Sequence, residues 1–433
     1  MNYSDSLEFL NRRGNEVQGI HLGLHRTLSV MEALGNPHRK YAVLHIAGTN
    51  GKGSVSAMSE SILRHAGWKT GLYTSPHLVR IEERIRTEGR DISPRRFATL
   101  VSHICDAEVS LLRRKRLDHP LTYFELITCC AFLYFAEKMV DVAIVEVGLG
   151  GTLDATNIVH PEACVITGVS HDHQNLLGTT LATIAREKAG ILKPGVPAIT
   201  ACHSPAALRV IRSVARITGA PLLEVDRDCK IRILGKRGGR YAFDLKTSHR
   251  SYRNLRPSLA GEHQIRNAAL AVCAVEALRS FPVQILDVRR GLANTCWPGR
   301  LDEYHARRRT LMEGAHNPEG AQSLRTYLES RHEREVHLVF GALRDKDIRK
   351  MGSCLFPLAC TIHLAPLDNS RTTDPETILA MFRQFAPKIR IHGSSKEALQ
   401  SAWQECTHKG LVVVTGSLYL LGELLPLVRT ENQ

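Results

Sequence analysis

Apolar residues fall into two alternating rhythms along this chain. Short apolar runs closed by glycine, "YAVLHIAG" (Tyr41–Gly48), "VDVAIVEVG" (Val140–Gly148) and "EACVITGV" (Glu162–Val169), predict buried strands. "WKTGLYTS" (Trp68–Ser75), "VPAIT" and "PLLEV" predict further strands. Between them the spacing turns helical. "KGSVSAMSESILRHAG" sets Val55, Met58, Ile62 and Leu63 at helical intervals and stops at Gly67. Residues 93–112, 121–139, 179–190 and "SPAALRVIRSVARITG" carry the same helical signal, and Glu262–Leu278 predicts a strong amphipathic helix. Residues 229–257 break the rhythm with turn-forming glycines and predict a small β excursion. Strands alternating with helices predict an α/β fold with a mostly parallel sheet covered on both faces.

A boundary is expected near Asn294–Tyr304, where Pro298 and Gly299 end one pattern and begin another. Beyond it "TLMEGA", "EVHLVFGAL", "ACTIHLA" and "GLVVVTGS" repeat the α/β rhythm. Two domains are therefore expected, 1–298 and 299–433, and the 433 residues can bury both cores. With 43% hydrophobic and 23% charged residues the composition is that of a soluble globular protein. No apolar run approaches a membrane span, and the start has no basic segment leading into an apolar one. The 11 cysteines are scattered without a CxxC, which argues against disulfides or a zinc site and for a reducing cytoplasm.

The net charge of +14 fits either nucleic acid or a site for small anions. The basic residues sit in short clusters, Arg113–Arg116, Lys236–Arg240 and Arg307–Arg309, without interleaved aromatics. That favours a solvated basic surface over a nucleic-acid groove.

The stretch "HIAGTNGKGSVSAM" (His45–Met58) lies where the first strand turns into a helix. It departs from the usual phosphate-loop spacing: Gly48 is two residues too close to Gly51, and Gly53 stands where Ser or Thr should follow Lys52. The physics survives the departure. Gly48, Gly51 and Gly53 let backbone amides approach an anion, the helix N-terminus favours negative charge, and Lys52 with Ser54 adds a cation and a hydroxyl. Phosphate transfer needs divalent cations, and three candidate ligands stand at or just beyond strand ends: Ser75, Glu146 and His173. Glu146 ends so apolar a strand that its charge requires a partner. Lys188, by its position alone, is a helix-end cation or a snorkelling lysine.

"HIAGTNGKGS", "GLYTSPHLVRIEERIR", "TYFELIT", "VEVGLGGTLDATN", "DH…LG", "IAREKAGILKPG", "GEHQIRNAALA", "WPGRLDEY" and "EGAHNPEG" occur in this order. Together they resemble the folylpolyglutamate synthase/dihydrofolate synthase family of the Mur ligase superfamily, from about Gly23 to the last strand. The resemblance implies a phosphate-loop domain with a mostly parallel central sheet and a smaller Rossmann-like C-terminal domain. It implies ATP-dependent addition of L-glutamate to 7,8-dihydropteroate or to the γ-carboxylate of a reduced folate, through an acyl phosphate. Asn50, Gly51, Lys52, Gly53 and Ser54 match the phosphate contacts, and Asn267, Arg300 and Glu313 the nucleotide contacts, with His316 beside them. Ser75 and Glu146 match the ligands of one Mg²⁺, and Glu146 and His173 positions at a second. Lys188 matches a lysine carried as a carbamate, which turns a cation into a metal-binding anion. Thr122, Tyr123, Phe124, Glu125, Leu153, Asp154 and Ala155 match the pterin region, and "GIHLGLHR" (Gly19–Arg26) a mobile loop over it.

Two positions depart from the family pattern: Glu313 replaces an aspartate, and Thr152 an arginine near the expected pocket. The expected partners are small molecules only, acted on by a monomer. Three rivals remain: a Mur-type ligase with another carboxylate substrate, disfavoured because only about forty residues precede the loop; a nucleic-acid-binding phosphate-loop ATPase; and an ATP-binding protein that has lost ligation. Dihydrofolate synthesis and polyglutamate extension are left open.

Overall fold

The computed structural model describes residues 1–14 and 23–431. An eight-stranded sheet contains β1 (Ala42–Ala47), β2 (Thr70–Tyr73), β3 (Ile85–Thr87), β4 (Arg90–Asp91), β5 (Val142–Glu146), β6 (Ala163–Ile166), β7 (Ala198–Thr200) and β8 (Leu222–Glu224). Its order is β4-β3-β2-β5-β1-β6-β7-β8. From β2 to β8 all pairs are parallel, and only the β2–β3 and β3–β4 pairs are antiparallel. The expected strands are present because β1, β5 and β6 are almost wholly buried, which their unbroken apolar runs require. The β3–β4 hairpin has no counterpart in the sequence reading, since it lies in the polar stretch "RIRTEGRD".

The helix Lys52–His65 follows β1 and the helix Tyr123–Glu137 precedes β5. The latter starts with a capping box: the Glu125 amide donates to Thr122 Oγ1 at 3.3 Å, and the Thr122 amide donates to Glu125 Oε2 at 2.7 Å. One expectation needs correction. The helix His263–Ala277 is not amphipathic in its setting; Gln264, Ile265 and every residue from Asn267 to Val275 are buried. It is wedged between the helix Lys52–His65, strands β6 and β7, and the β excursion. Ala268, Ala269, Ala271 and Ala274 make that close approach possible. The excursion itself is an antiparallel sheet of β9 (Lys230–Arg237), β10 (Arg240–Lys246) and β11 (Ser251–Leu255).

After the helix Ile285–Ala293 the chain enters a six-stranded sheet. It comprises β12 (Asp302–His305), β13 (Arg309–Met312), β14 (Val336–Phe340), β15 (Thr361–Leu364), β16 (Ile389–Ile391) and β17 (Leu411–Thr415), in the order β12-β13-β17-β14-β15-β16. Only β12–β13 is antiparallel. Each large sheet has a hydrophobic cluster on both faces. The fold is thus mixed α/β with a mostly parallel central sheet and a second C-terminal sheet. Among the described residues no helix is long and apolar enough to cross a membrane.

In the first sheet the chain leaves β1 for β2 on one side and later returns to β6 on the other. Such a reversal of winding opens a crevice at the carboxyl ends of β5, β1 and β6.

Candidate active site

The loop after β1 is built around glycine. Gly48 has φ +150°, and a Cβ there would lie 1.8 Å from Thr167 Oγ1, which donates to the Asn50 carbonyl at 2.6 Å. Gly51 caps the helix Lys52–His65 in the left-handed region at φ +86°, with Asn267 Oδ1 2.7 Å from where its Cβ would be. The irregular spacing is therefore a real close-packed turn. Lys52 Nζ donates to the Thr49 carbonyl at 3.2 Å and lies 4.0 Å from Glu146 Oε1. Ser54 is buried and receives a 3.4 Å hydrogen bond from Gln264, whose Oε1 in turn accepts from Asn267 at 2.9 Å.

A cavity of about 680 Å³ opens above this loop, between the two large sheets. Asn50, Gly51, Lys52, Gly53, Ser54, Ser75, Glu146, His173, Lys188, Asn267, Arg300, Glu313 and His316 all line it. Glu146 ends β5 and is 3% exposed. Lys188 is buried and donates to the Gly48 carbonyl at 2.9 Å; burial, reinforced by the Lys52 charge, pushes its ammonium down to about 7. Burial, with Lys346 and His316 nearby, pushes the His173 ring down to about 4, against the pull of Asp172. His173 adopts φ +49° at the start of a single helical turn, Gln174–Leu177.

Ser75, Glu146 and His173 all line the cavity and bring to it a hydroxyl, a carboxylate and a neutral imidazole, donor types that suit a divalent cation. Lys188 as an ammonium does not fit that set.

Groups from the second sheet close the cavity. Glu313 follows β13, and its Oε2 accepts the Leu301 amide at 2.8 Å, while the Gly314 amide donates to the Gly299 carbonyl at 3.0 Å. Burial raises the Glu313 carboxyl to about 7 although Arg300 and the Leu301 and Ala315 amides oppose the rise. His316 lies against its own chain through Nδ1 and the Gly314 carbonyl at 2.8 Å, which leaves Nε2 3.7 Å from Asp172 Oδ2.

Thr122, Phe124, Glu125, Leu153, Asp154 and Ala155 form a separate part of the wall. Tyr123 does not reach the cavity; its ring is buried beneath the Arg84 guanidinium, 5.6 Å away. Arg26 holds Glu125 through two hydrogen bonds, at 2.8 and 3.1 Å. Of the expected covering loop, residues 19–22 lie outside the described residues, whereas Gly23 lines the cavity. Thr152 also stands away from it: its hydroxyl donates to the Glu187 carbonyl at 3.2 Å and the residue is exposed.

Residues 46–275 match the Mur ligase middle domain, and residues 299–418 the Mur ligase glutamate ligase domain. The chain is 37% identical, over 98% of both proteins, to the Bacillus subtilis dihydrofolate synthase/folylpolyglutamate synthase. It belongs to the folylpolyglutamate synthase/dihydrofolate synthase family. This member of the family superposes on Escherichia coli FolC in complex with DHPP and ADP with a TM-score of 0.89, at 31% identity, covering 100% of this chain and 99% of the other. For Mycobacterium tuberculosis folylpolyglutamate synthase complexed with ADP the TM-score is 0.90, at 30% identity, again covering 100% and 99%. The chain is accordingly an ATP-dependent ligase with a nucleotide site.

Two groups of this ligase escaped the sequence reading. Asp172 accepts from Lys346 Nζ at 2.7 Å and from the His173 amide at 2.9 Å; despite burial, His316 and Lys346 hold its carboxyl far below the usual range. Asn50 Nδ2 donates to Glu319 Oε2 at 2.5 Å, and Asn317 Nδ2 donates to Asn50 Oδ1 at 2.8 Å. Asp172 sits in "VSHDHQNLLG" between two histidines, a cluster that offered a signal. Lys346 acts across a long sequence gap and offered none, while Asn317 and Glu319 lie in "EGAHNPEG", where nothing in the stretch ties them to Asn50.

Proposed function

We propose that this ligase joins L-glutamate to 7,8-dihydropteroate, to the γ-carboxylate of a reduced folate, or to both. The observation that carries the reading is that one cavity joins a phosphate-type loop, Lys52 and Glu146 to the Thr122–Glu125 and Leu153–Ala155 wall. A relative of the same fold holds ADP and DHPP together.

A carboxylate resists attack because its charge repels nucleophiles. Phosphorylation removes that charge and installs a leaving group, after which the glutamate amine attacks the acyl phosphate. The loop amides from Asn50 to Ser54 grip the phosphates, and the Lys52 ammonium offsets charge on the transferring group. Asn267, Arg300 and Glu313 position the nucleotide, and His316 orients beside them. Ser75, Glu146 and His173 would hold two Mg²⁺ ions, with Lys188 joining them as a carbamate. When bound, the ions neutralise phosphate charge and align the oxygens. The buried amine of Lys188, close enough to Lys52 to be driven toward its neutral form, suits reaction with CO₂. Thr122, Phe124, Glu125, Leu153, Asp154 and Ala155 hold the pterin, and Tyr123 supports that wall from behind.

The chain divides at Pro298/Gly299, with residues 1–298 binding ATP and pterin and 299–433 bringing groups from across the cleft. Closure about Trp297–Arg300 excludes the water that would hydrolyse the acyl phosphate. The enzyme works as a cytoplasmic monomer on small molecules. The test supplies ATP, Mg²⁺ and glutamate with dihydropteroate or with reduced folates, and reads products by mass. Lys52→Ala is expected to lower glutamate-dependent ADP release at least about 100-fold. Near-normal turnover in that variant, or release of phosphate with no amide from either acceptor, would overturn the reading.

A further inference from the structure

The second sheet buries an unusual pair of histidines far from the nucleotide cavity. His337 on β14 and His363 on β15 sit one diagonal step apart on the same face, since His337 is opposite Thr361 and Val339 opposite His363. His337 is 5% exposed and His363 is 0% exposed. The helix Ser395–Glu405 covers this face, and the layer around the rings is apolar: Val339, Ala398, Leu399, Ala402. Nδ1 of His337 and Nε2 of His363 have no hydrogen-bond partner among the described residues. Burying such atoms unsatisfied is costly, so they mark a place where a ligand is expected.

The other nitrogen of each ring is held. His337 Nε2 lies 3.1 Å from Glu335 Oε1, and His363 Nδ1 lies 3.1 Å from His392 Nε2. One nitrogen held and the other left without a hydrogen-bond partner is the arrangement of a metal-ligating histidine. A third ligand completes the set. Glu405, at the end of the covering helix with a side chain 37% exposed, brings Oε2 to 4.0 Å from His363 Nε2. One ligand atom from each of His337, His363 and Glu405 lies within 4.8 Å of the others.

We propose that His337, His363 and Glu405 form a binding site for a zinc-class divalent transition ion, separate from the nucleotide cavity. Two imidazoles and one carboxylate are a donor set for zinc, cobalt or nickel rather than magnesium. Bonds of about 2.0–2.1 Å place tetrahedral ligand atoms about 3.4 Å apart, so binding draws the three ligand atoms together from separations that now lie within 4.8 Å. The solvent side of Glu405 provides access and a fourth position for water. Cys406 is the competing ligand near His337, but its thiol donates to the Thr407 carbonyl at 3.4 Å. The scattered cysteines gave no sign of this site because its ligands are histidines and a glutamate.

The test uses the full-length chain stripped with chelator and titrated with zinc against a chromophoric indicator, with cobalt(II) absorption as the geometry readout. Glu146→Gln separates this site from the nucleotide cavity. The expected result is one tight zinc equivalent in both wild type and Glu146→Gln, with the intense visible bands of four-coordinate cobalt. Glu335→Gln is expected to weaken zinc binding about 10- to 100-fold by loosening His337. His363→Gln and Glu405→Gln are expected to weaken it more, and Cys406→Ser to leave it unchanged. Glu405 is at an exposed helix end, so its variant remains informative if His363→Gln fails to fold. Loss of the tight equivalent in Glu146→Gln, or unaltered affinity in Glu405→Gln, overturns the proposal.

Discussion

Glu313→Gln isolates a single buried carboxyl whose titration is tied to folding. In the unfolded chain this group loses its proton near 4.5, whereas burial behind β13 holds it to about 7. Between those values the folded protein binds more protons than the unfolded one, so stability is greatest at the acid end and falls as pH rises. At about 1.4 kcal/mol per pH unit across that span, the ionised Glu313 makes the fold about 3 kcal/mol less stable at pH 8 than at pH 5. Glutamine keeps a carbonyl oxygen for the Leu301 amide and never ionises. Urea midpoints of wild type and variant, measured at several values from pH 5 to 8, test this, because the other titrating groups cancel in the difference. The variant is expected to match wild type near pH 5 and to exceed it by about 3 kcal/mol at pH 8. Parallel curves would refute the reasoning and show that Arg300 and the two amides keep the carboxylate ionised throughout.

Other expectations rest on single contacts. Gly48→Ala forces a Cβ to within 1.8 Å of Thr167 Oγ1 and breaks the Thr167–Asn50 hydrogen bond; it should cost about 1–3 kcal/mol of stability and weaken ADP binding, read by melting and calorimetry. Lys346→Met removes the lysine from the buried Asp172 carboxylate and leaves it the His173 amide and His316, at a cost of up to about 3–5 kcal/mol, and adding Asp172→Asn should restore most of the loss in a double-mutant cycle. Thr152→Arg restores the residue usual in the family at a site that faces away from the cavity. The ratio of kcat/KM between dihydropteroate and folate acceptors should therefore move less than about two-fold, the size of an ordinary surface substitution.

Much of the central sheet was legible because fully buried parallel strands announce themselves as unbroken apolar runs, as in Val142–Glu146. The phosphate loop was legible for a different reason: only glycine tolerates the backbone of residues 48 and 51, whatever their spacing. The helix His263–Ala277 was misread because Arg266 and Glu276 suggest a wet face, whereas its alanines let a neighbour in on every side but theirs. Lys188 gained meaning only from the resemblance, since burial and contact with the Gly48 carbonyl are tertiary facts. Tyr123 failed the expectation through local geometry: it follows the cap of its helix and turns toward Arg84, while Phe124 turns to the cavity.

Asn50 belongs to the loop that would grip the phosphates, yet it is clasped by Asn317 and Glu319 at the start of the helix Pro318–Arg331, which follows β13. Whatever enters or leaves beneath that clasp must first part the two halves of the molecule. Under the closure proposed above, nucleotide exchange would run at the pace of a hinge rather than of diffusion, and mutations at residues 317 and 319 would change the tempo of turnover without touching the pterin wall.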